Sequence, residues 1–180
     1  MLLTQKITKR DLSFGTFLLA MVLPFGSWAQ HNKMLSPPAT AEGTIDGVKI
    51  KIEYHQPSAR GRKIMGGLVP YGEVWRTGAN ETTSIEIVGP AKIEGKELAK
   101  GKYALFTIPG ENEWVIIINK TIKWGHYDYK ENEDLLRVKV KPAKTESFVE
   151  TFNIGIDQDQ VVLKWENTQV AFKISKGSGQ

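Results

Sequence analysis

Apolar residues recur at every second position in four separate stretches of the chain. Val48, Ile50, Ile52 and Tyr54 alternate with Lys49, Lys51 and Glu53, and Leu136, Val138 and Val140 alternate with Arg137, Lys139 and Lys141. Val161, Leu163 and Trp165 repeat the pattern, as do Val170, Phe172 and Ile174. Side chains on an extended backbone point to opposite faces in turn, so each stretch reads as a strand with one face buried and one solvated. Between residues 43 and 175 no stretch carries a clean run of apolar residues at i, i+3, i+4 and i+7, which argues against a helical core.

Two further runs, Tyr103 to Ile108 and Trp114 to Ile118, are apolar at both parities, as central strands covered on both faces would be. Pro109-Gly110-Glu111-Asn112 between them predicts a hairpin. Glu94-Gly95 and Lys100-Gly101 are further turn signals, and Asp157 to Gln160 and Asn167-Thr168 read as breaks between the last strands. The expectation is an all-β domain: an antiparallel β-sandwich, or a barrel-like relative, of about eight or nine strands.

The first residues follow another pattern. Lys6, Lys9 and Arg10 precede an apolar stretch from Leu12 to Phe25, and Ser27-Trp28-Ala29 sets small residues at −3 and −1. This predicts a signal peptide over residues 1–29, cut after Ala29 to leave Gln30 first, and a periplasmic or secreted product. The stretch is shorter than the ~20 apolar residues of a membrane span, and no later one approaches that length. Removal takes away Lys6, Lys9, Arg10 and Asp11 and lowers the formal net charge from +4 to +2. The remaining lysines sit at the solvated positions of strands, with no basic stripe carrying interleaved aromatics, so no nucleic-acid partner is expected. Residues 30–42, with Ser36-Pro37-Pro38, read as a linker, residues 43–175 as one domain, and 176–180 as a flexible tail. The chain has no cysteine, which rules out disulfides, thiolate metal sites and a cysteine nucleophile.

Residues 55–81 break the two-residue rhythm. They carry Gly61, Gly66, Gly67, Gly72 and Gly78 together with Pro57 and Pro70. A connection longer than about 12–15 residues without regular structure is uncommon in a compact domain and is usually functional or disordered. Ile64, Leu68, Val69, Tyr71, Val74 and Trp75 are too apolar for disorder, so an ordered, packed loop is expected.

That loop also concentrates arginine. After removal of residues 1–29 the chain has four arginines against 17 lysines, yet Arg60, Arg62 and Arg76 all fall here. A planar five-donor fork suits a carboxylate, a phosphate or several carbonyls held at fixed geometry. These arginines either bind an anionic or polar ligand, or pin the loop through carbonyls and Glu73 or Glu81. Asn80 and Glu81 could likewise assist binding or proton transfer, or form an ion pair and a turn bond. His55, His126 and Glu81 lack any metal-binding spacing, so no metal site is predicted, and no cofactor motif occurs. Trp75 and Trp124 lie beside glycines, either as an aromatic platform for a sugar or as a hydrophobic cluster beneath the loop.

Gln56-Pro57-Ser58, Gly61-Arg62, Gly67-Leu68-Val69-Pro70-Tyr71-Gly72 and Val74-Trp75-Arg76-Thr77-Gly78-Ala79-Asn80-Glu81, with Gly101 to Pro109 and Trp114, carry a resemblance. Over roughly residues 42–175 the chain resembles a family of secreted bacterial proteins known as a domain of unknown function. The resemblance implies export and one β-rich domain and brings no established activity, cofactor or catalytic residue. It places Arg62, Trp75, Arg76, Asn80 and Glu81 in the family's pattern.

Three functional classes follow. The first is a binding module for a small anionic or polar ligand or a sugar, with a site built by residues 55–81 from Arg62, Trp75, Arg76, Asn80, Glu81, His55 and Trp124. The second is a hydrolase or lyase on a small polar or sugar substrate, with Glu81 as acid/base. The third is a structural or partner-docking envelope protein. Convergence of Arg62, Arg76 and Glu81 on one cavity would separate the first two from the third.

Overall fold

Ile50, Ile52 and Tyr54 turn inward on one strand and Ile85 and Ile87 on the next, and this register repeats through the domain. The computed structural model describes residues 35–122 and 129–178. Residues 1–29, Trp124 and His126 lie outside the described residues. Ten strands are present among the described residues: β1 (Pro38–Ile45), β2 (Val48–His55), β3 (Ser84–Val88), β4 (Ala91–Ile93), β5 (Lys96–Leu98), β6 (Gly101–Ile108), β7 (Trp114–Asn119), β8 (Asp134–Val140), β9 (Ala143–Asp157) and β10 (Gln160–Lys176). They form a six-stranded sheet, β1-β2-β3-β6-β7-β8, and a four-stranded sheet, β5-β4-β10-β9. Every pairing is antiparallel and neither sheet closes on itself, so the architecture is a sandwich rather than a barrel.

The inner faces share one hydrophobic cluster. Ile52, Ile85, Leu105 and Ile116 come from the larger sheet and Val161 and Phe172 from the smaller, each with no exposed surface. β6 and β7 are buried on both faces, as their composition predicts. Their outward Ala104, Phe106 and Ile117 make a second, smaller cluster with Val74 and Tyr129, and the Phe106 and Tyr129 rings meet edge-on at 5.1 Å.

Sharp turns set the register. Asp46 and Gly47, at φ 49° and 79°, join Ile45 to its direct partner Val48, and Glu94 and Gly95 do the same between β4 and β5. Three features depart from the sequence reading. Within residues 176–180, read as a flexible tail, Lys176 pairs with Ala91 at the end of β10 and Ser178 donates to Glu97 at 2.7 Å. Pro38 to Glu42, read as linker, form the first part of β1, because their backbone bonds to β2 despite a polar composition. Asn167-Thr168, read as a break, lies within the continuous β10. The strand bends there through register shifts on either side of Glu166, whose φ is 56°.

Candidate functional site

The connection from β2 to β3 leaves the larger sheet, touches the smaller one and returns. Pro57 to Ala59 extend along the edge of β9: Phe152 N donates to Pro57 O at 2.9 Å, and Ala59 N to Glu150 O at 2.8 Å. The chain then reverses at Arg60 and Gly61, both at positive φ. Ile64 to Val69 close a tight loop through Val69 N to Ile64 O (3.0 Å) and Gly66 N to Val69 O (2.9 Å). Gly66 sits at φ 72°, where a Cβ would also meet the Tyr71 ring at 2.7 Å, so glycine is required. The Glu166 carboxylate, on the β10 bend, accepts the Ile64 and Met65 amides at 3.4 and 3.3 Å.

Trp75 brings the segment back. Its backbone exchanges bonds with Thr107 of β6 at 2.7 and 2.9 Å, extending the pairing of β3. Its ring stacks on Trp165, meets Phe152 and Trp114 edge-on, and donates from Nε1 to Gly78 O at 3.1 Å. Thr77 follows at φ 58°, an uncommon conformation for a β-branched residue. Buried bonds hold it there: Thr83 Oγ1 donates to Thr77 O at 2.7 Å, and Thr77 Oγ1 to Thr107 Oγ1 at 3.2 Å. Strain of this kind persists only where the surroundings over-determine it.

Between this return segment and the tight loop lies a cleft of about 380 Å³ lined by Arg62, Leu68, Glu73, Trp75, Arg76 and Trp165, among others. The arginines of the connection have different roles. Arg60 donates from Nη2 to Leu35 O at 2.8 Å. Arg62 pins the turn, donating from Nε to Ala59 O at 3.0 Å and from Nη2 to Ser58 O at 2.7 Å. Arg76 is different. Its Nε is buried without a hydrogen-bond partner, and no ion pair involves it among the described residues.

Glu81 is therefore not the partner of Arg76. Its Oε2 lies 3.1 Å from His55 Nδ1, with the Glu81 side chain 57% exposed, and neither residue belongs to the cleft lining. The cause is local: Thr77 and Asn80, both at positive φ, turn the chain between Arg76 and Glu81. Asn80 donates to Ser36 O, on the cleft rim, at 3.2 Å. Of the residues proposed for a site, Arg62, Trp75 and Arg76 thus converge on the cleft and Asn80 supports its rim. His55 and Glu81 pair elsewhere. Trp165 was readable only as a core strand residue, because nothing local to it signals that a loop about ninety positions earlier packs on its ring.

A second polar cluster gathers where β7 ends and β8 begins. Asp134 accepts from Tyr129 OH (2.6 Å), Arg137 Nε (2.6 Å) and Asn119 Nδ2 (2.8 Å). Burial, and then Asp134 beside it, push the Tyr129 phenol up to about 12. Among the described residues no group of three or more His, Asp or Glu gathers in a way that could hold a metal ion, and no helix is long and apolar enough to cross a membrane.

No curated protein and no solved structure matches the chain. A family model does, over residues 36–174, which takes in the strands from β1 nearly to the end of β10 and the whole β2–β3 connection. The chain belongs to this family, DUF2911, described as protein of unknown function.

Proposed function

We propose that this is an exported binding module whose ligand occupies the cleft between the β2–β3 connection and the sandwich. The observation that carries the reading is Arg76: a guanidinium lining a cleft, its Nε buried without an acceptor. A buried donor without a partner costs about 1–3 kcal/mol, and a ligand that accepts from the guanidinium would recover part of that cost. The strained Thr77 beside it and the two buried threonines that hold it support a segment shaped to place Arg76 rather than to join two strands. At about 380 Å³ the cleft falls near the lower end of ligand pockets, which suits a small molecule.

Export rests on the pattern of residues 1–29, and an intact mass that begins at Gln30, on protein recovered from the periplasm or medium, is its test. Binding is tested by titrating the protein with phenylacetate, phenylacetamide, inorganic phosphate and methyl glucoside while following tryptophan emission. Trp75 and Trp165 border the cleft, so occupancy alters their surroundings. A saturable change with any of these supports a binding site. A flat response to all of them at millimolar concentration overturns it.

A further inference from the structure

We infer that the cleft takes a small organic monocarboxylate: one carboxylate for Arg76 and a compact apolar body for the wall beside it. The inference rests on the binding reading and narrows it to one ligand class.

Charge limits the candidates first. The lining holds two guanidiniums, Arg62 and Arg76, against the Glu73 carboxylate, a single net positive charge. Arg62 already gives Nε and Nη2 to backbone carbonyls, so Arg76 is the cation whose donors are uncommitted. A phosphate near neutral pH carries up to two negative charges, and Glu73 would oppose the second. One carboxylate matches one uncommitted guanidinium. Its two oxygens also fit the side-on edge formed by Nε and Nη2 bidentately, and Nε is the orphaned atom.

The walls limit the rest of the ligand. Leu68, Val69, Pro70, Val74 and the two tryptophans supply an apolar surface. A sugar would want an open aromatic face, but Trp165 is covered and Trp75 has one face taken. Trp75 has Trp165 stacked 5.9 Å away, with Phe152 and Trp114 against it edge-on, and Trp165 is 2% exposed. What remains suits a branched or aromatic hydrocarbon group. Since Nε is shielded from solvent, side-on engagement requires the guanidinium to turn, so arrival of the carboxylate registers at Arg76 itself.

Matched acid and amide pairs test this on the unmodified protein: phenylacetate against phenylacetamide, and isovalerate against isovaleramide. Each amide keeps the apolar body and loses the charge. The acids are expected to bind roughly tenfold or more tighter than their amides, the weight of a charge-assisted contact. The Arg76 Nε–H proton resonance should move downfield with the acids only. Arg76→Lys, which keeps the charge and loses the fork, should weaken the acids roughly tenfold and leave the amides as they were. Equal binding of acid and amide, or tighter binding of inorganic phosphate or methyl glucoside, overturns the carboxylate assignment while the cleft remains a binding site. Silence from every probe overturns the binding reading, and this inference with it.

Discussion

The indole of Trp75 lies against that of Trp165, ring centroids 5.9 Å apart and planes inclined by 20°. One belongs to the connection between β2 and β3, the other to β10 of the opposite sheet. Because the Trp75 backbone also pairs with Thr107 on β6, a single residue joins the two layers of the sandwich. The cleft borders this junction, so its shape depends on how the sheets are locked together.

Trp75→Ala should therefore cost stability as a core truncation does, about 3–5 kcal/mol, and Trp75→Phe distinctly less, since a smaller ring still fills part of the space. Urea unfolding with unchanged denaturant dependence is the measurement. A loss below about 1 kcal/mol for the alanine variant would mean that the stack is a surface contact with no role in joining the sheets.

The strands were readable because burial imposes a period. Val48 to Tyr54 expose alternate residues to water and core, and β6 and β7 lost the alternation because Phe106 and Ile117 are covered on the outer face as well. Glu166 was not readable as a bend, since a bulge reflects the mismatch of two long strands and not a local signal. The candidate site was half readable. Arginine in a lysine-rich chain pointed to the β2–β3 connection, where Arg62, Trp75 and Arg76 line the cleft. Arg76 and Glu81, five positions apart, look like neighbours in the sequence, whereas two residues at positive φ turn Glu81 toward His55.

Glu166 holds the tight loop from a distance of about a hundred positions, through the Ile64 and Met65 amides. Both contacts are long, so the expected effect of Glu166→Gln is modest, about 0.5–1.5 kcal/mol, concentrated in local opening. Amide hydrogen exchange should speed up at Ile64 and Met65 and stay unchanged in β6 and β7. Uniform acceleration everywhere would show that Glu166 supports the whole fold instead.

Tyr129 makes a pH prediction whose sign is fixed by its environment. Burial and the Asp134 carboxylate raise its phenol from 10.0 to about 12, so the folded state favours the protonated form. That contribution is fully present below about pH 10 and is lost as the pH climbs toward 12. Tyr129→Phe removes its bond to Asp134, which keeps Arg137 and Asn119, and the bond it accepts from Arg137 Nη2, and should cost about 1–2 kcal/mol at neutral pH. Burial raises Tyr71 and Tyr103 as well, so phenolate absorbance should show one late-titrating tyrosine fewer in the variant than in the parent protein. A Tyr129 that ionises with the ordinary tyrosines would remove the basis for the prediction.

Arg76 separates a binding role from a structural one in a single substitution. Arg76→Met keeps an unbranched side chain of similar reach and removes a buried donor that has no acceptor. If Arg76 serves a ligand, the variant gives up no internal bond, and its stability should hold or rise by up to about 1 kcal/mol as the unsatisfied group disappears. Binding of phenylacetate should fall below detection, because an apolar end offers nothing to the carboxylate. The opposite pair of results, a stability loss of about 1–3 kcal/mol with ligand response intact, would make Arg76 a clamp of the loop. Thermal unfolding and tryptophan titration on the same preparation give both readings. The contrast with Arg62 is the internal control: Arg62→Met breaks two bonds to backbone carbonyls, so it should destabilise where Arg76→Met does not.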